Sequence, residues 1–597
     1  MTPDDLTARR VLSASGDLIA FNAAGILGPA DLHAARRLTA LTADDDPVVV
    51  LAAAFAVRAP RMGHVFVDLP NVAAQVAVEA DEPLDTTLPW PDPDRWLAAL
   101  RASPLVAVGD DEDDEHRPLR LVGTRVYLDR YWREERRLAT DLSALRAHPV
   151  VVDEPRLDAG LRRLFNGDPA AAQARAARAA LTHGLAVVAG GPGTGKTTTV
   201  ARIAALLAEQ TPAEGRLPLL ALAAPTGKAA VRLHEAVRDV SADLDVEGAI
   251  REWLNALEAS TLHRLLGWRP GSHSRFRHHR GRRLPYDAVI VDEASMVSLT
   301  LMARLLEALR PDTRLVLVGD PDQLTSVEAG AVLGDIVRAG EADRAVVALD
   351  RVHRFGSGIE EVATAVRGGD DDAAVAALAG APEGVTWIAT DAADGAERLA
   401  AVRDRAIFAG RAVLAAARAG DADAALTALK GFRLLCAHRR GPNGITRWAR
   451  DVEGWLAADL DAQGTGFYLG RPLLMTENDY DLRLFNGDTG VVVSGTDGRA
   501  VAAFERGGQI LEVRPSRLAA VETVYAMTIH KSQGSQFDVA AVLLPPPSSR
   551  ILTRELLYTA ITRARHELIL VGTEETIRAA VQRPAARASG LAERLAS

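Results

Sequence analysis

The strongest chemical signature of this 597-residue sequence lies at residues 185–200, which read LAVVAGGPGTGKTTTV. An apolar run typical of a strand turns through glycines into a segment typical of a helix. The spacing is that of a phosphate-binding loop, in which glycines open the backbone amides to phosphate and the helix N-terminus adds partial positive charge. The sequence therefore predicts a site for ATP and Mg²⁺ that involves Gly190, Gly191, Pro192, Gly193, Thr194, Gly195, Lys196, Thr197 and Thr198.

Carboxylates that could act on a bound nucleotide follow a predicted strand over 287–291. Asp292 and Glu293 come directly after it, and Gln323 follows the next strand, over 315–318. Polar residues at the ends of buried parallel strands form the ligand side of an α/β sheet. We expect Asp292 to hold Mg²⁺ together with Thr197. Glu293 would orient and deprotonate the attacking water, and Gln323 would sense the γ-phosphate.

Two other regions carry groups suited to nucleic acid or to catalysis across a domain boundary. The segment 267–283 contains six arginines, together with aromatic rings. Charge mixed with aromatic rings suits a nucleic-acid backbone with bases that can stack, although a solvated basic loop is the alternative. Arg563, in YTAITRAR, could reach the nucleotide from a second domain as an arginine finger. A structural salt bridge is the alternative role for this single arginine.

Composition limits the class of protein. The length predicts several domains, and 48% hydrophobic residues are enough for each to have a core. The net charge of −10 argues against a protein that coats nucleic acid, but allows a local basic channel. The single cysteine, Cys436, excludes internal disulfides and cysteine-based metal sites. We find neither a membrane span nor a signal peptide, so we expect a cytoplasmic protein.

Lysine is rare in this chain. Four of the 69 basic residues are lysines, at positions 196, 228, 430 and 531, and all except Lys430 lie in chemical motifs. A compact ammonium that binds phosphate is not readily replaced by a planar guanidinium. The retained lysines therefore favour a chemical role for those motifs.

Seven motifs occur in a fixed order: GGPGTGKTTT, APTGKAA, STLHRLLG, VIVDEAS, LVGDPDQL, MTIHKSQGSQF and YTAITRAR. In this order they resemble superfamily 1 DNA helicases, and within them the RecD-type subunits of RecBCD helicase–nucleases. The resemblance spans residues 153–595 and is weak before them. It implies two RecA-like domains with ATP between them, and 5′–3′ travel on single-stranded DNA. It also implies duplex-end DNA as substrate, RecB-like and RecC-like partners in a heterotrimer, and a role in recombinational double-strand break repair.

The resemblance further implies roles for single residues. Gln173 would read the adenine, although a surface glutamine is the simpler reading of that residue alone. Lys196 would bind the phosphates, and Arg354 and Arg563 would face the γ-phosphate. Gln536 stands where relatives commonly have glutamate, and its amide can still bond a sugar hydroxyl. The residues expected to contact the DNA strand are Thr226, Lys228, His263, Arg264, Thr528, His530, Lys531, Ser532 and Gln533.

These patterns predict an α/β protein with two RecA-like P-loop domains built on parallel sheets. A mainly helical, partner-binding domain is expected over 1–110, followed by a linker over 111–152. The first RecA-like domain would span 153–345, with a hairpin insertion at about 267–283 that the resemblance implies helps to part the duplex. The second would span 346–465 and 523–597, interrupted by a small β-barrel over 466–522.

Other functions remain open at this stage. A stand-alone RecD-like helicase usually carries helix-hairpin-helix elements, and we find no such glycine hairpins before Asp153. A mainly structural subunit, whose ATPase only regulates its partners, is disfavoured by the intact motifs. A nuclease would need an acidic pair and a lysine around Mg²⁺. Lys430 has no carboxylate beside it in sequence, so we expect no nuclease site in this chain.

Overall fold

The computed structural model describes residues 17–42, 44–79, 88–111, 116–168, 170–212, 215–269, 275–340, 344–349, 356–393, 399–460, 466–479, 481–506 and 508–596. Within these ranges the strands form a small N-terminal sheet, two parallel sheets of six and five strands, and an antiparallel sheet of five strands. The predicted α/β architecture with two parallel sheets is confirmed. No helix in the same ranges is long and apolar enough to cross a membrane.

The N-terminal domain packs helices against a mixed four-stranded sheet. Its elements are α1 (Leu18–Ala23), α2 (Pro29–Thr42), α3 (Pro47–Arg61), β1 (Phe66–Asp68), α4 (Val72–Glu79), α5 (Pro93–Ala102), β2 (Val106–Val108), β3 (Leu119–Val122) and β4 (Arg125–Leu128). The strand order is β1-β4-β3-β2. Helix α3 begins where the Asp46 carboxylate accepts a hydrogen bond from the Val48 amide, which caps the helix.

The segment predicted as a linker, 111–152, is largely folded. Strands β3 and β4 pair with β2 and β1 of the N-terminal sheet. The following helix, α6 (Asp129–Ala147), buries Trp132, Leu138 and Leu142 in the core of the first parallel sheet. The sequence indicates a strand followed by an amphipathic helix in this segment. It does not indicate which sheet packs against the apolar face of that helix. The linker prediction was therefore wrong for residues 119–147.

The first parallel sheet forms the core of the first motor domain. The elements of this domain are α7 (Glu154–Leu164), α8 (Ala172–Thr182), β5 (Leu185–Gly190), α9 (Lys196–Glu209), β6 (Leu220–Ala224), α10 (Gly227–Asp243), α11 (Gly248–Ala256), β7 (Ala259–Thr261), α12 (Leu262–Leu266), β8 (Ala288–Val291), α13 (Leu299–Ala308), β9 (Arg314–Gly319), α14 (Val332–Ala339) and β10 (Val346–Leu349). The strand order is β10-β5-β9-β8-β6-β7, with every neighbouring pair parallel. Helices α7 to α11 pack on one face, while α6, α13 and α14 pack on the other.

Strand β10 corrects the predicted boundary between the motor domains. It pairs in parallel with β5, with Val347 opposite Val188, and so completes the first sheet. The prediction had assigned residues from 346 onward to the second domain. A short apolar strand between two α/β units carries no local signal that tells which sheet it joins.

The second motor domain carries the other parallel sheet and the inserted strands. Its elements are α15 (Ser357–Gly368), α16 (Asp371–Ala379), β11 (Val385–Ile388), α17 (Ala400–Arg418), α18 (Ala422–Gly431), β12 (Phe432–Cys436), α19 (Ile445–Leu456), β13 (Pro472–Met475), β14 (Thr489–Ser494), β15 (Ala500–Arg506), β16 (Gln509–Val513), β17 (Val521–Thr523), β18 (Ala526–Thr528), β19 (Phe537–Leu543), α20 (Arg554–Ile561), β20 (Ala564–Val571) and α21 (Glu574–Gln582). They are followed by α22 (Leu591–Ala596), which packs on the first motor domain. The parallel order is β11-β20-β19-β12-β18.

The inserted strands β13 to β17 form an antiparallel sheet in the order β16-β15-β14-β13-β17. Its two edge strands are β16 and β17, and the described pairings connect the sheet without joining these edges. In place of the expected small β-barrel, the described residues form an open antiparallel sheet, so closure into a barrel is not confirmed. The sheet packs against α17 and α18 of the second motor domain.

The C-terminal tail, residues 583–596, leaves the second domain and returns to the first half of the chain. The Val65 amide donates to the Ala588 carbonyl over 2.7 Å, and the Ala588 amide donates to His64 Nδ1 over 2.9 Å. Leu591 is fully buried in the core that contains α6. The tail thus packs on the first motor domain, whereas the sequence predicts that it belongs to the second.

Glu135 of α6 is the anchor of this tail. Its carboxylate is fully buried and accepts hydrogen bonds from the Gly590 amide (2.9 Å) and the Ser589 hydroxyl (3.2 Å). Arg594 lies 3.3 Å from Glu135 and also pairs with Asp110 at 2.6 Å. Burial raises the pKa of Glu135, and these donors act in the opposite direction.

Replacing Glu135 should release the tail. Glu135→Ala leaves buried donors without an acceptor, so we expect attachment of the tail to weaken by about 3 kcal/mol. Hydrogen–deuterium exchange of the backbone amides in 588–594 should accelerate, while Glu575→Ala, at an exposed position on α21, should leave it unchanged. Unaltered exchange in Glu135→Ala would show that other contacts hold the tail.

Candidate active site

The phosphate loop connects β5 to α9 through two left-handed glycines. Gly193 and Gly195 have φ angles of 85° and 81°, which favour glycine. Lys196, the first residue of α9, folds back over the loop. Its Nζ donates to the Gly190 carbonyl at 2.6 Å and to the Gly191 carbonyl at 2.8 Å. A nucleotide phosphate would compete with these carbonyls for the ammonium group.

The side chains of Gln173 and Thr194 form hydrogen bonds with the backbone of the phosphate loop. The Gln173 side-chain amide donates to the Thr194 carbonyl at 3.1 Å, and its oxygen accepts from Arg202 at 3.1 Å. The Thr194 hydroxyl donates to the Gly191 carbonyl at 2.9 Å. Gln173 therefore braces the loop backbone here, and its adenine contact stays a prediction.

Asp292 and Glu293 lie at the carboxyl end of β8, where the parallel sheet was expected to place them. Asp292 is 8% exposed, and its carboxylate accepts from the Glu293 amide at 2.8 Å. Burial and repulsion from Glu293 raise the pKa of Asp292, whereas Lys196 acts to lower it. Glu293 has a φ of 51°, a left-handed conformation that is uncommon outside glycine and often marks functional sites.

Gln323 is held by Asp320, a carboxylate that the sequence analysis did not assign to the site. The Gln323 amide donates to Asp320 Oδ2 at 3.0 Å. Burial raises the pKa of Asp320 to about 6, and Lys196 opposes this shift. Asp320 follows β9 directly, so the strand-end rule applied to Asp292 could also have identified it.

Arg563 enters the site from the second motor domain, directly after α20. Its buried guanidinium donates to the Thr559 carbonyl at 2.9 Å and to the Ser535 carbonyl at 3.1 Å. A cleft with a cavity volume of about 110 Å³ lies between the two domains. Its lining residues are Pro192, Gly193, Gly195, Lys196, Thr197, Thr198, Arg232, Asp292, Glu293, Gln323, Gly534, Ser535, Gln536 and Arg563.

The cleft thus gathers most of the predicted nucleotide residues, including Gln536. Arg354 lies outside the described residues. Arg232, which also lines the cleft, was not predicted. It lies four residues after Lys228 on α10, so the helical spacing of two cations was a signal that could have pointed to it.

Thr226 and Lys228, expected to contact DNA, lie at the start of α10. The Thr226 hydroxyl accepts from the Ala229 amide at 3.2 Å and caps the helix. Lys228 Nζ lies 3.4 Å from the Gly487 carbonyl, in the turn between β13 and β14 of the inserted sheet. Burial lowers the pKa of Lys228 to about 7, and the charge of Arg232 adds to this effect.

His263 and Arg264 lie on α12, beside the predicted hairpin. The His263 ring lies 5.8 Å from the Phe276 ring, and burial lowers the pKa of His263. Arg264 is exposed. Trp268 and Phe276 form an antiparallel bridge, while residues 270–274 between them lie outside the described part of the chain.

The segment 528–533 forms a tight turn after β18. The Thr528 hydroxyl accepts from the Lys531 amide at 3.2 Å, and the buried Ser532 hydroxyl donates to the Ile529 carbonyl at 2.7 Å. Both hydroxyls therefore stabilise the turn. Burial lowers the pKa of His530, and Arg587 acts in the same direction.

Gln533 and Lys531 bond to neighbouring structure. The Gln533 amide donates to the Leu324 carbonyl at 2.7 Å, and the Leu324 amide donates to the Thr559 hydroxyl at 3.0 Å. Lys531 Nζ lies 3.7 Å from a carboxylate oxygen of Glu522 on the inserted sheet. The residue after Gln323 is thus bonded to two segments of the second domain.

The close packing at Gly191 allows a test of the contact between the two motor domains. A Cβ at this position would lie 2.7 Å from the Tyr558 hydroxyl of α20, so Gly191→Ala should push the domains apart. We expect kcat/KM for ATP to fall by about tenfold. Gly191→Ala combined with Tyr558→Phe removes the clashing oxygen and should recover part of this loss. Equal losses in the single and double variants would contradict the contact.

Comparison with known proteins agrees with this geometry. Residues 23–127 match the N-terminal domain of RecBCD enzyme subunit RecD, residues 169–389 match an AAA domain, and residues 523–571 match a UvrD-like helicase C-terminal domain. The N-terminal resemblance is thus more specific than the sequence motifs indicated.

Curated relatives extend the match over the whole chain. RecBCD enzyme subunit RecD of Mycolicibacterium smegmatis is 51% identical over 578 residues, covering 96% of this chain and 98% of that protein. The same subunit of Mycobacterium tuberculosis is 51% identical over 596 residues, covering 98% of each. The ATP-dependent RecD2 DNA helicase of Deinococcus radiodurans is 31% identical over 481 residues, covering 79% of this chain and 58% of that protein. The chain belongs to the RecD family of RecBCD enzyme subunits.

Proposed function

We propose that this chain is an ATP-dependent DNA helicase motor that moves 5′ to 3′ along single-stranded DNA. It would act with RecB-like and RecC-like subunits on duplex ends during recombinational repair of double-strand breaks. The observation that carries the proposal is the cleft that joins Lys196, Asp292 and Glu293 of the first domain to Arg563 of the second. A nucleotide bound there touches both domains, so its hydrolysis can move one relative to the other.

The residues of the cleft suit Mg²⁺ and a triphosphate. Thr197 and Asp292 offer the hydroxyl and carboxylate oxygens that Mg²⁺ prefers, and they line the same cavity. Bound there, Mg²⁺ would neutralise phosphate charge. Glu293 would orient and deprotonate the attacking water, and Lys196 and Arg563 would stabilise the charge that develops on the phosphates.

Coupling of hydrolysis to movement would pass through the segment after β9. Gln323 senses the nucleotide in this proposal, and Leu324 is bonded to Gln533, a predicted strand-contacting residue. A shift of Gln323 on phosphate release therefore reaches Gln533 through a single intervening residue. Opening and closing of the cleft would then alternately tighten and loosen the contacts with the DNA strand.

A RecBCD-type subunit is favoured over a stand-alone helicase because the N-terminal domain matches that of RecD subunits over 23–127. The same match supports partner binding by this domain, and action on chromosomal DNA supports a cytoplasmic location. We also propose that the chain has no nuclease site of its own. Its one lysine outside the motifs, Lys430, pairs with the exposed Glu505 of β15 in the inserted sheet.

Lys196→Gln is expected to abolish ATP hydrolysis while leaving the fold intact, because the loop ammonium acts on phosphate and adds little to stability. Steady-state ATPase with single-stranded DNA and a thermal melt would measure the two effects. Lys430→Gln is the matched control, since an exposed ion pair contributes at most about 1 kcal/mol. An ATPase rate in Lys196→Gln equal to that of Lys430→Gln would contradict the assignment of the cleft as the nucleotide site.

The direction and the partners can be tested with the assembled complex. The substrates would be duplexes that carry either a 5′ or a 3′ single-stranded tail. The partner motor would be inactivated by a substitution in its own phosphate loop. Under these conditions we expect the complex to unwind the duplex with the 5′ tail. Affinity purification from the native host should also recover two larger helicase–nuclease subunits. Unwinding from the 3′ tail alone would overturn the polarity, and purification as a single active chain would favour the stand-alone helicase.

A further inference from the structure

Helix α10 connects the predicted DNA site to the nucleotide cleft. Its first turn carries Lys228, and Arg232 follows four residues later. Side chains at this spacing lie on the same face of a helix, and their Cα atoms are about 6 Å apart along the axis. The two cations are close enough for Arg232 to depress the pKa of Lys228, whose largest shift comes from burial.

The Lys228 end of the helix faces the inserted sheet. Lys228 Nζ lies near the Gly487 carbonyl, and a Cβ on the neighbouring Gly227 would lie 2.8 Å from the Phe485 ring. The start of α10 is therefore packed by the turn between β13 and β14. A DNA strand that contacts Thr226 and Lys228 would therefore meet α10 at its N-terminal end.

Arg232, in the second turn of the helix, faces the cleft. Its guanidinium lines the cavity together with Glu293 and Arg563. Glu293 and Glu235 attract it, and Arg563 and Arg565 repel it. Within the described part of the chain, Arg232 makes no hydrogen bond or ion pair, so it is available to a mobile partner.

Glu293 is the group on which Arg232 can act. Its backbone is held in the left-handed region, and its carboxylate has no hydrogen-bond donor among the described residues. A carboxylate that must orient water gains precision when a neighbouring donor fixes its rotamer. Lys196 cannot serve this purpose while it binds phosphate.

We propose that Arg232 is a positioning residue that orients Glu293 for hydrolysis and ties that orientation to the strand held at the start of α10. The inference rests on the proposed function, because it assigns Glu293 to water activation and Lys228 to the strand. Since both cations belong to one helix, a displacement of its first turn by DNA carries Arg232 with it. The proposal accounts for a cation that lines the cleft without a hydrogen bond or ion pair among the described residues.

The test uses the full chain and an oligothymidylate as the single-stranded DNA. Steady-state ATPase would be measured with and without DNA for Arg232→Ala, Arg232→Gln and Arg232→Lys. Arg238→Ala, at an exposed position further along α10, is the matched control. We expect Arg232→Ala and Arg232→Gln to lower the DNA-stimulated kcat by about ten- to a hundredfold, with KM for ATP within about twofold. Arg232→Lys should restore part of the loss.

Other outcomes separate this inference from the proposed function. Full DNA stimulation in Arg232→Gln, which keeps a polar side chain of similar size, would overturn the positioning role. A rise in KM for ATP at unchanged kcat would also overturn it, because Arg232 would then bind nucleotide. Wild-type ATPase without any DNA stimulation would instead overturn the proposed function. A melting temperature of Arg232→Gln equal to that of Arg238→Ala ensures that the comparison reports on catalysis.

Discussion

A single ammonium group links the charged groups of the nucleotide cleft. Lys196 acts on two buried carboxyl groups, Asp292 and Asp320, and counters the rise in pKa that burial imposes on both. The same group is tied to the loop backbone through the Gly190 and Gly191 carbonyls. Because a buried carboxylate without a partner is costly, Lys196 offsets part of the electrostatic cost of placing Asp292 and Asp320 at the ends of β8 and β9. A planar, larger guanidinium does not fit this role, which explains why lysine persists here in a chain rich in arginine.

The two motor domains meet through hydrogen bonds of backbone groups as well as through charged side chains. Leu324 offers its amide to Thr559 and its carbonyl to Gln533, so one residue of the first domain is bonded to two segments of the second. The two partners are the side chains of Thr559 and Gln533, whereas the groups of Leu324 belong to its backbone. Movement between the two sheets therefore acts directly on the backbone of the segment that carries Asp320 and Gln323.

The sequence predicted which residues lie together in the cleft better than it predicted the limits of the domains. Lys196, Asp292, Gln323 and Arg563 lie in motifs whose spacing reflects strand ends and helix starts, so the cleft that gathers them follows from the fold class. Strand β10 and helix α6 were assigned to the wrong units because their neighbours lie far away in sequence. Local patterns specify an apolar face, whereas the surface that covers it depends on tertiary packing. Arg232 was missed because a single arginine on an amphipathic helix resembles an ordinary solvated residue.

The C-terminal tail has a consequence for the order in which the molecule is completed. Glu135 is buried in α6, yet its donor Gly590 lies 455 residues later in the chain. During synthesis, the N-terminal sheet and the first motor domain emerge before this donor exists. Until the tail docks, the Glu135 carboxylate lacks Gly590, Ser589 and Arg594 as partners. The first motor domain is therefore completed by a segment that is synthesised after the whole second motor domain.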